Sequence, residues 1–67
     1  MKINFDTKND IMRIKFQEGE YKESREIEEG IIVDITKDDK VMAIEIIDVS
    51  KKMPKNNLKE FSMNISD

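Results

Sequence analysis

Asp34 and Glu45 are the residues of this chain best suited to chemistry. Each interrupts an apolar run, Gly30-Ile31-Ile32-Val33 before Asp34 and Val41-Met42-Ala43-Ile44 before Glu45. Two carboxylates on one side of a fold can serve as general acid and base, or as oxygen ligands for Mg²⁺ or Ca²⁺. Neither histidine nor cysteine is present to assist them. The plainer reading is structural. Asp34 then faces the rim of the fold, while Glu45 is partly buried and paired with a lysine or arginine, in one version across a dimer interface. Glu23, Ser24 and Glu26 form a second polar group, read either as a recognition patch or as solvated loop. The sequence thus offers Asp34, Glu45, Glu23, Ser24 and Glu26 as an interaction or polar site. It assigns no catalytic residue, cofactor or metal ligand.

One further spacing imitates a metal site. Asp34, Thr36, Asp38, Val41 and Glu45 fall at positions 1, 3, 5, 8 and 12 of an EF-hand calcium loop, of which 1, 3, 5 and 12 are ligand positions. Asp39 stands where that loop requires glycine, and Thr36 is neutral. Both flanks are rich in β-branched residues, whereas an EF-hand is flanked by helices. The spacing belongs to a β-hairpin. With Gly19 and Gly30 as the only glycines, no glycine-rich phosphate loop can form.

Composition sets the frame. A chain of 67 residues with 40% charged and 6% aromatic residues is one small domain with little apolar area to bury. Lacking cysteine, it has neither disulfides nor thiolate metal sites to reinforce it. Association is the simplest remedy, because a bound partner stabilises the folded state by mass action. A homo-oligomer, with a dimer favoured, is therefore expected. The N-terminus carries no apolar signal segment, and no run approaches the length of a membrane span. A cytoplasmic protein without membrane contact follows as an expectation. The net charge of −3 argues against nucleic acid as a partner. Residues 17–34 carry seven acids against Lys22 and Arg25, whereas residues 51–60 are basic. That polarity is either ordinary solvated surface or a steering device for a partner.

The elements that must position these residues follow from periodicity. Ile3 and Phe5 alternate with polar residues in a first strand over residues 2–6. Residues 6–10 are turn formers, with Asp6 and Asp10 placed to accept backbone hydrogen bonds. A second strand over 11–17 alternates Met12, Ile14 and Phe16 with Arg13 and Lys15, and pairs with the first as a hairpin. Strands over 30–36 and 40–49 make a second hairpin, apolar on both faces, so both faces need cover. A short edge strand over 21–24 would anchor the acidic connection between the hairpins. If Lys37-Asp38-Asp39 is a three-residue loop, Asp39 is left-handed and Asp34 opposes Met42; a four-residue loop shifts the pairing by one. Only the shifted register puts Asp34 and Glu45 on one face. Asp48 or Ser50 would cap a single helical turn before Pro54, and a C-terminal helix is expected over 57–62.

Several of these residues also carry a family resemblance. In order they are Asp6, Asp10 before an alternating strand, Glu23-Ser24-Arg25-Glu26, Gly30-Ile31-Ile32-Val33-Asp34, and Ala43-Ile44-Glu45-Ile46 leading to Val49-Ser50. Over residues 2–50 the chain resembles the domain-of-unknown-function 2283 family of small prokaryotic proteins. The resemblance implies an α+β domain, an antiparallel β-meander of about four strands followed by a short C-terminal helix, with no established activity. The family usually has glycine where this chain has Asp39 and Ala43. Some members resemble the small partners of compact toxins.

Three functions are therefore carried forward. The first is a non-catalytic domain that self-associates or binds another protein. The second is an antitoxin-like partner of a small toxin, using the acidic segment. The third is a carboxylate-based metal protein or enzyme using Asp34 and Glu45.

Overall fold

The computed structural model describes residues 1–53. They form strands β1 (Lys2–Asp6), β2 (Ile11–Lys15), β3 (Tyr21–Glu28), β4 (Ile31–Thr36) and β5 (Val41–Ile47), then a single helical turn, α1 (Val49–Lys52). The expected helix over 57–62 lies outside the described residues. All five strands lie in one antiparallel sheet, in the order β1-β2-β5-β4-β3. The α+β expectation holds in this coarse form, a sheet with a short helix towards the C-terminus, but the strand count is five rather than four.

The topology corrects the expected meander. A hairpin, β1–β2, and a three-strand unit, β3–β4–β5, are joined by the pairing of β2 with β5. This is a Greek-key order. The reason is side-chain chemistry: Ile44 and Ile46 of β5 find Ile14 and Met12 opposite them on β2. A neighbouring β3 would have offered mostly charge. β3 takes the outer edge instead, where its charged side chains remain solvated.

Directly opposed residues share a face, so the register sorts the side chains into rows. One face carries the rows Phe5–Met12–Ile46–Ile31 and Ile3–Ile14–Ile44–Val33. Met12 and Val33 are buried, and the other six are half-buried. The opposite face carries Asn4–Arg13–Glu45–Ile32–Glu26 and Lys2–Lys15–Ala43–Asp34–Ser24. Phe16, expected to bury beside Met12 and Ile14, is 42% exposed. β2 ends at Lys15, and the Phe16 amide donates to the carbonyl of Met42 as the chain turns away.

The β4–β5 hairpin uses both registers considered above. Its loop has three residues, with Asp39 at φ 64° and the Thr36 amide bonded to the Lys40 carbonyl. Ile35 then opposes Val41, but Asp34 opposes Ala43, so a bulge at Met42 moves the ladder by one residue. The Asp34–Met42 pairing that a three-residue loop alone implies is therefore not retained, and Ile31 faces Ile46. The bulge has a direct consequence: Asp34 and Glu45 emerge on the same face.

Asp10 and Gly30 hold the helical end of the sheet. Gly30 turns the β3–β4 hairpin at φ 76°, where a side chain would collide with Lys52 Nζ and the Ile47 carbonyl. Asp10, at φ 58°, accepts the Ser50 amide at 3.1 Å and the Ser50 hydroxyl at 2.6 Å. α1 is therefore capped from a distant turn rather than by its own N-cap residue, Asp48, whose side chain makes no capping bond.

Candidate functional site

The polar face centres on Arg13, which the sequence reading placed merely on the outward half of an alternating strand. Arg13 projects from β2, and its Nη1 donates to Asp34 Oδ2 at 2.9 Å. The same nitrogen lies 3.2 Å from Glu45 Oε1. Asp34 stands on β4, so the guanidinium reaches it only by crossing β5. Between Arg13 and Asp34, β5 presents Glu45 and Ala43, and Ala43 is fully buried. A small residue at position 43 leaves room for the arginine to cross.

The network continues to the sheet edge. Asp34 Oδ1 accepts the Ser24 hydroxyl at 2.6 Å, and Ser24 Oγ lies 2.7 Å from the Tyr21 hydroxyl. Since the single Ser24 proton is directed to Asp34, Tyr21 donates to Ser24. Tyr21, Ser24, Asp34, Arg13 and Glu45 thus form one hydrogen-bonded and ionic array across four strands.

The sequence-derived site residues divide accordingly. Asp34, Glu45 and Ser24 are brought together, while Glu23 and Glu26 are not part of the array. Glu23 opposes Ile35 and pairs with Arg25. Glu26 reaches back to accept the Gly30 amide at 3.1 Å, fastening the β3–β4 turn. The burial order of the two acids is also corrected. Asp34 is 6% exposed rather than at the rim, whereas the Glu45 side chain is about one-third exposed. Glu45 does pair with an arginine, but within its own chain. The signal for Arg13 was present as Ala43, a small residue in an otherwise bulky strand two positions from an acid.

Both Asp34 oxygens accept hydrogen bonds, and its charge is balanced by Arg13. Its charge and two of its acceptor positions are thus engaged within the fold. Among the described residues, no three acids converge as a metal-ligand set. The EF-hand spacing is likewise occupied by local bonds: Thr36 Oγ1 donates to Asp38 Oδ1 and accepts the Lys40 amide at 3.0 Å. Beside the array, Lys2, Asn4, Arg13 and Lys15 line an open cleft of about 400 Å³. Lys2 and Lys15 are opposed there, an unfavourable like-charge pair that Glu18 relieves by bonding Lys15 at 2.8 Å. No helix of the described residues is long and apolar enough to cross a membrane.

No curated protein and no solved structure matches the chain. One family model does match, that of proteins of unknown function designated DUF2283, over residues 2–50. The matched segment runs from the first strand to the start of α1, and contains every residue of the Arg13 array. The chain belongs to the DUF2283 family.

Proposed function

We propose that this chain is a non-catalytic association domain, whose sheet meets another protein chain, a second copy of itself included. The observation that supports the reading is the half-buried state of six of the eight side chains in the two apolar rows. A small domain gains stability when such a surface is buried against a partner, at about 25 cal/mol per Å² of apolar area. The polar face supports the same reading, because its buried carboxylate, Asp34, is held by Arg13 and Ser24. The basic cleft and the Arg13 array then act as architecture that keeps the sheet in register.

A second reading is the antitoxin-like partner. It is favoured by β3, an edge strand exposed along nearly its whole length and carrying Glu23, Glu26 and Glu28. A basic protein would meet that edge first.

Thermal unfolding at increasing protein concentration tests the association reading. The midpoint of an associating domain rises with concentration, by several degrees over about two decades. A midpoint independent of concentration would overturn self-association.

A further inference from the structure

The two edges of the sheet differ. β3 has register shifts at Lys22 and Ile27 and a nearly continuous row of charges, both of which discourage addition of another strand. β1 is regular, its ladder to β2 running from Lys2 to Asp6 without a shift. Its outer row of backbone N–H and C=O groups has no strand beside it among the described residues.

The sequence of that regular edge is complementary to its own reverse. Lys2-Ile3-Asn4-Phe5-Asp6, set antiparallel against a second copy with Asn4 on the two-fold axis, opposes Lys2 to Asp6 and Ile3 to Phe5. The polar pairs fall on the polar face, and the apolar pairs on the face that carries Met12 and Val33. A shift of one residue would set polar against apolar. A shift of two would lose the charge pairs and shorten the ladder. Asp6 can take part while keeping its turn. It already accepts the Lys8 amide, the Asn9 amide and the Asn9 side chain, and a carboxylate has about four acceptor sites.

From this self-complementarity we infer that two copies of the chain join through β1, antiparallel and centred on Asn4, into one ten-stranded sheet. The inference rests on the association reading and specifies the seam. Ile3 and Phe5, at the margin of the apolar face in one copy, become the middle of a doubled face.

The chain has no cysteine, so a single introduced one reports the seam cleanly. Opposed Cα atoms in an antiparallel pair lie about 4.5–5.5 Å apart, within disulfide reach. Full-length Asn4→Cys, mildly oxidised at low micromolar concentration, is expected to convert to a covalent dimer. Thr7→Cys, exposed and beyond the end of β1, is expected to remain uncrosslinked. Equal crosslinking of the two variants overturns the seam.

Lys2→Glu separates association from folding. It replaces a like-charge pair with Lys15 by an opposite one, so the unfolding midpoint of the dilute protein should hold or rise. In the dimer it sets Glu against Asp6 twice, so the dissociation constant should rise by about tenfold or more. Unchanged dimerisation in Lys2→Glu also overturns the seam. Light scattering of the unmodified protein distinguishes the failures. A dimer without Asn4→Cys crosslinking removes only the β1 seam, whereas a monomer removes the seam and self-association together.

Discussion

Arg13 and Asp34 sit on strands separated by β5, yet their side chains meet at 2.9 Å across it. The contact ties the β1–β2 hairpin to the β3–β4–β5 unit. With the Arg13–Glu45 contact, it adds a charged link to the β2–β5 ladder that joins those two halves. Asp34 is nearly buried, and a carboxylate there requires a charged partner and a full set of hydrogen bonds.

Removing the guanidinium leaves Asp34 with Ser24 alone. Arg13→Ala is expected to cost about 2–4 kcal/mol in urea unfolding, because it strands a buried charge. Asp34→Ala should cost less, since Arg13 keeps Glu45 and solvent. A double-mutant cycle should give a coupling of about 1–3 kcal/mol. A coupling near zero would show that the contact does not link the halves.

Ala43 sets the space through which Arg13 crosses β5. Ala43→Gly should lower stability by about 1 kcal/mol or less, the cost of a glycine in a strand. Ala43→Leu should cost about 1–3 kcal/mol, since the added branch would occupy a fully buried site in the arginine's path. Equal stability of the leucine variant and the unmodified protein would contradict the crossing geometry.

Asp39 holds φ 64° in the β4–β5 loop, a conformation glycine adopts without strain. Asp39→Gly should raise stability by about 0.5 kcal/mol, while Asp39→Val should lower it by about 1–2 kcal/mol. The exposed Lys22–Asp39 ion pair, lost in both variants, contributes little. Chemical denaturation compares the two, and the opposite order would refute the turn assignment.

Three acids, the half-buried Asp6 and the exposed Glu18 and Asp38, define the pH response. Asp6 is held below its ordinary range chiefly by the Asn9 side chain, Glu18 by Lys15, and Asp38 by the Thr36 hydroxyl. Each carboxylate therefore favours the folded state once pH exceeds its unfolded value of about 4, and that contribution disappears as pH falls through the lower folded value. Without histidine, no side chain of ordinary pKa titrates between pH 5 and 8. The denaturation midpoint should be flat over that interval and fall below about pH 4. A step near pH 6–7 would contradict this assignment.

What was legible in the sequence was local. The β1–β2 hairpin follows from alternation, which operates over a few residues; the loop length after Thr36, and with it the left-handed Asp39, stood open between three and four residues. The Asp6 turn is also local, and is present as expected. The rest depends on neighbours remote in the chain. The length of β3 was hidden because an edge strand is held by its backbone ladder and needs no apolar alternation. Asp48 and Ser50 were the local cap choices for α1, but the bond comes from Asp10, forty positions away. The bulge at Met42, which sets Asp34 and Glu45 on one face, left no mark in the hydrophobic pattern.

The central claim is that the chain works by association, and its mass in solution tests it most directly. Sedimentation equilibrium of the full-length protein over about 1–100 µM should give a mass rising towards twice the monomer's 7.9 kDa. A mass fixed at 7.9 kDa throughout that range would contradict the account.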